Sequence, residues 1–218
     1  MKHFPIKTIW PLLKKQVKSL RIPWLEDMAA TAPDPFKILI SCILSLRTQD
    51  RTTGLASERL FNLASTPKAM SGISLRQIEK AIYPVGFYRV KAGTIKSLSR
   101  EIFVRYNSRV PDEIDELLTL KGVGRKTANL VVTLGYDKPG ICVDTHVHRI
   151  SNRWGLVRTT TPNETEFALR KILPRKYWKE INGLLVAFGQ GICKPLSPLC
   201  STCSLNRYCP RLGVTRHR

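Results

Sequence analysis

The chain has 218 residues, enough for one good hydrophobic core or two small ones, and its 43% hydrophobic content is that of an ordinary globular protein. Against 16 acidic residues stand 36 lysines and arginines, a formal net charge of +20 that implies a nucleic acid or an anionic membrane as partner. No run approaches the roughly 20 apolar residues of a spanning helix, which weakens the membrane reading, and residues 1–15 lack the continuous apolar stretch of a secretory signal, so an intracellular protein is expected.

Helical punctuation recurs along the chain, without strand-like alternation. Asp34-Pro35 reads as an N-cap followed by Pro at the first helical position, opening a helix with Phe36, Leu39, Ile40, Ile43 and Leu44 on a buried stripe. Asp50 is expected to cap a second helix carrying Leu55, Leu60 and Leu63, and Thr66-Pro67 to start a short third. Ser74 with Gln77 makes a capping box ahead of Leu75, Ile78 and Ile82. Tyr83-Pro84-Val85-Gly86 breaks the chain, a longer helix follows with Ile95, Leu98, Ile102 and Phe103, and Pro111-Asp112 is expected to open the next. The expected fold class is all-α.

Between helical patterns at 114–120 and 127–136 lies Leu120-Lys121-Gly122-Val123-Gly124-Arg125-Lys126-Thr127-Ala128. Two glycines bracketing one apolar residue outline a helix-hairpin-helix. Glycine admits positive φ and close backbone approach, so the turn's N–H groups and the positive start of the following helix can face a phosphate. Alone, such a turn is more often a helix C-cap; Lys121, Arg125 and Lys126 crowd it with charge and favour a polyanion. A helix over 125–136 advances about 18 Å. The segment 137–144 returns up to about 26 Å, far enough to bring Asp144 beside Lys126. That couple reads either as a surface ion pair or as a catalytic amine and carboxylate, and Asp144 also reads as the N-cap of a helix running to about Trp154. Further helices are expected from Thr161-Pro162 and from Tyr177 to about Gly189.

The six cysteines divide into two kinds. Cys42 and Cys142 lie in apolar runs and read as small core residues. Cys193, Cys200, Cys203 and Cys209, spaced C-x6-C-x2-C-x5-C, crowd one loop, which in an intracellular protein favours metal over disulfides. Zinc ribbons present two CxxC knuckles, whereas this loop has one close pair with longer arms. It is therefore expected to wrap a cubane cluster, with tetrahedral zinc as the alternative. Lys194, Arg207 and Arg211 make the loop basic, either to meet phosphates or to offset a cluster's negative charge.

The run from Leu120 to Asn129, the Val143-Asp144-Thr145-His146 whose Asp lies 18 positions after Lys126, and the cysteine spacing together resemble the endonuclease III family of helix-hairpin-helix DNA glycosylases, over about residues 30–210. The wording of 82–87, 143–149 and 180–190 is closer to its eukaryotic-type thymine glycol glycosylase branch. The resemblance implies a six-helix barrel-like domain over 28–138 holding the hairpin. It implies a second domain from 1–27 plus 139–218 that holds a 4Fe-4S cluster on the four loop cysteines, and a DNA cleft between the two. It also implies a bifunctional glycosylase and apurinic/apyrimidinic lyase that excises oxidised pyrimidines from duplex DNA and nicks 3′ to the site. Its partner would be duplex DNA with damaged bases or abasic sites, and it would act as a monomer, cytoplasmic and nucleoid-associated in a prokaryote, nuclear or mitochondrial in a eukaryote.

In that scheme Lys126 is the nucleophile. Its place at a positive helix start near Arg125 and Lys121 disfavours the charged form, and in the related adenine-mismatch branch a smaller polar residue takes its place. Asp144 steadies the cation formed as the base leaves. Lys121, Gly122, Val123, Gly124 and Arg125 grip the backbone, with Lys121 standing where the family usually has Pro. His146 either touches the flipped nucleotide or serves the structure. Phe87 falls at the wedge position against the opposite strand, the alternative being a core aromatic. Arg47 stands where the family commonly has a void-filling Gln, with Gln49 two positions later. A thymine or uracil mismatch glycosylase, a noncatalytic DNA-structure-binding protein and a zinc-stabilised DNA-binding module remain as alternatives.

Overall fold

A computed structural model of the chain describes residues 5–218. Residues 1–4, part of the segments 1–15 and 1–27 read above, lie outside the described residues. All regular elements among the described residues are helical: α1 (Ile6–Val17), α2 (Trp24–Thr31), α3 (Pro35–Ser45), α4 (Asp50–Leu63), α5 (Pro67–Gly72), α6 (Leu75–Ile82), α7 (Tyr88–Arg105), α8 (Ile114–Thr119), α9 (Arg125–Leu130) continued by a π-helical turn (Val131–Gly135), α10 (Thr145–Arg153), α11 (Pro162–Ile172), a 3-10 turn (Arg175–Tyr177) and α12 (Ile181–Gly191). No helix among the described residues is long and apolar enough to cross a membrane. The chain divides into two compact units, Trp24–Gly140, and Met1–Pro23 with Ile141–Arg218.

In the unit Trp24–Gly140, α3 is the central helix. Asp34 Oδ1 accepts the N–H groups of Phe36 (2.9 Å) and Lys37 (3.1 Å), and Pro35 occupies the first turn, so the helix start is fixed locally. Phe36 and the whole run 38–44 are buried, because α2, α4, α7, α9 and the π-helical turn pack around it. A helix apolar on all sides belongs inside a core. Each large side chain there contributes about 1.5–3 kcal/mol by leaving water.

Thr66 and the Ser74–Gln77 capping box start α5 and α6 as the sequence predicts. Two expectations in this unit need correction, the cap at Asp50 and the helix start at Asp112. Asp50 does not cap α4: Gln49 holds the N-cap position without a side-chain bond, and the Asp50 carboxylate accepts Trp24 N–H at 2.9 Å. Of the three leucines assigned to that helix only Leu60 is buried, since the inward face consists of Thr53, Gly54, Ala56 and Ser57, where a side chain at Gly54 would collide with the Trp24 ring. The helix before the hairpin begins at Ile114, with Glu113 at its N-cap, and Asp112 instead pairs with Lys138 at 3.1 Å.

The other unit is built on α1, which the sequence reading did not delimit. Ile6, Ile9, Trp10, Leu13 and Val17 form one buried stripe and join a core with Val147, Ile150, Trp154, Leu185 and Phe188. The Trp10 and Tyr177 rings lie 4.3 Å apart, and Trp10 Nε1 donates to Glu180 Oε2 at 3.0 Å. The last long helix starts at Ile181, not at Tyr177, which ends the separate 3-10 turn.

Candidate active site

The glycine turn uses its two glycines differently. Gly122 has φ +86°, and a Cβ there would stand 2.7 Å from Thr94 Cγ2, so only glycine fits. Gly124 is extended at φ −101°, holds the N-cap position of α9, and has open space where a side chain would project. Of the two reasons for glycine, positive φ applies to Gly122 and open space for a close approach to Gly124. Buried Val123 anchors the turn, while Lys121 and Gly124 are exposed and Arg125 and Lys126 half-buried. Backbone donors in an open turn, with cationic side chains beside them, suit an anion.

Burial pushes the Cys42 thiol up to about 12, with the Lys126 amine lowering its pKa and the carboxylate of Glu26 in α2 raising it. Burial likewise pushes the Glu26 carboxyl up to about 7, and its Oε1 is buried without a hydrogen-bond partner. Sequence reasoning missed Glu26, an acidic residue in a helix no motif marked. Cys42 and Cys142 are both buried core residues, as expected.

In the same unit Arg47 and Phe87 come together from two loops. Both have left-handed backbone, φ 53° and 57°, and the guanidinium lies 5.7 Å from the Phe87 ring centroid. Phe87 is 63% exposed, which removes the core reading for it. Gln49, in the first of these loops, is exposed. Beneath the pair, Thr48 Oγ1 accepts Gly86 N–H at 3.2 Å. Arg59 holds the second loop through Tyr83 O at 2.5 Å. Lys91 is buried below both, and burial lowers its pKa to about 8. No sequence signal pointed to it.

In the other unit Asp144 is the N-cap of α10, its Oδ1 accepting the N–H groups of His146 and Val147, each at 2.9 Å. His146 Nδ1 sits 3.2 Å from Arg149 Nη2, and the ring lies against the backbone of Gly189. Arg149 Nη2 continues to Cys193 O at 2.8 Å.

Cys193, Cys200, Cys203 and Cys209 carry free thiols and line one cavity with Arg153 and Asn206. Arg153, 6% exposed, donates through Nη1 to Cys193 Sγ (3.4 Å) and Lys194 O (2.7 Å) and through Nη2 to Pro195 O (2.6 Å). Arg211 N–H donates to Cys209 Sγ at 3.4 Å. Burial pushes the Cys203 thiol up to about 11 and raises Cys200 and Cys209 as well. Among the described residues no three His, Cys, Asp or Glu side chains converge closely enough to hold a single metal ion.

Residues 40–175 match the HhH-GPD superfamily of base excision DNA repair proteins. The chain is 51% identical over 176 residues to endonuclease III of Thermotoga maritima, covering 81% of this chain and 83% of that protein. Its fold is similar to that of an endonuclease III in a non-covalent DNA complex, with TM-score 0.83, 34% identity and 94% of each chain covered. It is also similar to a trapped endonuclease III–DNA covalent intermediate, with TM-score 0.77, 36% identity and coverage of 91% of this chain and 96% of that one.

Proposed function

This chain belongs to the endonuclease III family of the HhH-GPD superfamily, and from that membership we infer that it is a DNA glycosylase and apurinic/apyrimidinic lyase of base excision repair, acting on duplex DNA with damaged bases or abasic sites. The substrates we assign are oxidised pyrimidines such as thymine glycol. The observation that carries the lyase reading is Lys126, in the first turn of the helix that follows the open Gly124, in a chain whose relatives include a covalently trapped enzyme–DNA intermediate.

Excision requires the nucleotide to be rotated out of the stack, because its sugar carbon is otherwise inaccessible. In our reading the turn formed by Lys121, Gly122, Val123, Gly124 and Arg125 binds the strand through backbone N–H groups and positive charge. The Lys126 amine forms a bond to C1′ as the C1′–N bond breaks and the base leaves with the bonding pair. Ring opening then gives a Schiff base, and loss of a C2′ proton expels the 3′ phosphate, nicking the strand 3′ to the lesion. Asp144 is assigned to the positive charge that develops on the sugar and to the proton released by the amine. Arg47 and Phe87 fill the vacated space and press on the opposite strand, with Gln49 beside them, and His146 faces the phosphate of the flipped nucleotide.

The cysteine loop suits a 4Fe-4S cluster better than zinc. Its four thiols share a cavity without converging on a point, and N–H groups of Arg153 and Arg211 already aim at two of the sulfurs. Cys193, Cys200, Cys203 and Cys209 would hold the group, which when bound ties the loop together and supplies no step of the excision.

Borohydride trapping tests the mechanism. With an abasic-site duplex the wild type is expected to cross-link and Lys126→Ala not to. A wild type that fails to cross-link, or a variant that cross-links undiminished, removes the lyase assignment.

A further inference from the structure

The loop after α3 and the loop before α7 are joined by contacts that no motif contains. Lys91, in the first turn of α7, is 7% exposed. Its Nζ donates to Leu44 O (2.9 Å), Leu46 O (2.5 Å) and Thr48 Oγ1 (3.2 Å). An ammonium taken out of water is tolerated when its protons are matched, and here three acceptors meet three donors. Two of the acceptors are carbonyls at the C-terminal end of α3, where a helix leaves oxygens unpaired and favours a cation. The third, Thr48 Oγ1, also accepts Gly86 N–H, so the ammonium is linked through one hydroxyl to the loop that carries Phe87. At Gly86 the two loops approach so closely that a Cβ would stand 2.8 Å from Arg47 O.

On these contacts rest two residues in backbone conformations that side chains disfavour, Arg47 and Phe87, stacked on one another above the clamp. Such conformations persist only where their surroundings over-determine them. We propose that Lys91 is a positioning residue that locks the end of α3 to the Gly86 loop, so that Arg47 and Phe87 meet DNA as one preassembled pair instead of two independent side chains. Ordering them in advance removes an entropic cost that would otherwise fall at the moment of binding. The proposal rests on the assignment of Arg47 and Phe87 to the vacated space and the opposite strand.

The test compares single-turnover excision of thymine glycol from a duplex, at saturating enzyme, for wild type, Arg47→Ala, Phe87→Ala, Lys91→Met, Lys91→Arg, Thr48→Val and the double variant of Arg47→Ala with Lys91→Met, recording thermal unfolding of each. Arg47→Ala and Phe87→Ala are expected to slow excision by about tenfold, as the pair assignment requires. Lys91→Met is expected to do the same, with Lys91→Arg recovering most of the loss. Thr48→Val, which removes only the hydroxyl between Lys91 and Gly86, is expected to slow excision in the same direction. The double variant should match the slower single variant within about twofold, because both changes disable one unit.

Wild-type rates in Lys91→Met and Thr48→Val overturn the clamp. So does a double variant slowed by the product of the single effects, which would make Lys91 a residue of general stability. Wild-type rates in both Arg47→Ala and Phe87→Ala instead remove the assignment on which the clamp rests. If Lys91→Met does not fold, Thr48→Val combined with Arg47→Ala runs the same cycle.

Discussion

Asp144 Oδ1 accepts the N–H of Val147 at 2.9 Å, and that of His146 at the same length, so one carboxylate oxygen starts α10 while the other lies outside both bonds. The two roles assigned to this residue can therefore be separated. Asp144→Asn keeps an oxygen able to cap and should leave thermal stability nearly unchanged, whereas Asp144→Ala should cost about 1 kcal/mol. Both remove the negative charge and should slow excision by about 100-fold. Thermal unfolding beside single-turnover rates checks the pair; an Asn variant at the wild-type rate would leave Asp144 as a cap alone.

Glu26 should make the protein less stable as pH rises. In the unfolded chain its carboxyl ionises near 4.5, while in the folded protein burial holds the proton to about 7. Between those values the folded state binds more protons than the unfolded one, so this group's contribution to stability falls from pH 4.5 to 7 and stays low above. Glu26→Gln keeps the shape without the charge. It is expected to stabilise the protein at pH 8 by on the order of 1 kcal/mol or more and to be near neutral at pH 4.5. Urea midpoints at the two pH values measure this.

The two turn glycines should respond in opposite ways. Gly122→Ala places a side chain at φ +86° against Thr94 and should cost about 1–2 kcal/mol of stability from the backbone alone. Gly124→Ala meets neither strain nor a neighbour in the fold, and is expected to keep the wild-type melting temperature. Its methyl instead stands where a phosphate would approach, and duplex affinity should fall by about tenfold. Melting curves and fluorescence anisotropy at fixed salt distinguish the two.

Arg153 should decide how firmly the cysteine loop keeps its cluster. Its guanidinium ties Cys193 Sγ, Lys194 O and Pro195 O together, and Arg153→Met removes the donor that all three share. Iron content and visible absorbance per chain are expected to fall after purification, with a smaller loss in Arg153→Lys.

The sequence was most informative where a residue's partner lies a few positions away. Asp34, Thr66, Ser74, Asp144 and Thr161 all cap the helices expected of them, since the donating N–H groups are two or three residues on. Asp50 breaks that pattern because Trp24, 26 positions earlier, takes its carboxylate. Leu55 and Leu63 lie exposed on that helix, because the Trp24 ring packs against Gly54 and selects the face with small residues, a choice no local signal carries. Lys91 was invisible for the same reason, its acceptors lying 43 to 47 positions back. The glycine turn and the cysteine spacing were legible as chemistry because each is one contiguous stretch. Glu26 and Lys126 each approach Cys42 only through packing.

The unit that contains both α1 and everything after Ile141 has a consequence for synthesis on the ribosome. Trp24–Gly140 emerges as one uninterrupted stretch and can collapse while the rest is still being translated. The amphipathic α1 leaves the tunnel ahead of that stretch but must wait for Glu180 and Thr202, to which Trp10 and Gln16 bond, with its apolar stripe uncovered meanwhile. Nascent chains halted before residue 180 should therefore be the species that recruits chaperones, and slower translation should lengthen that vulnerable interval.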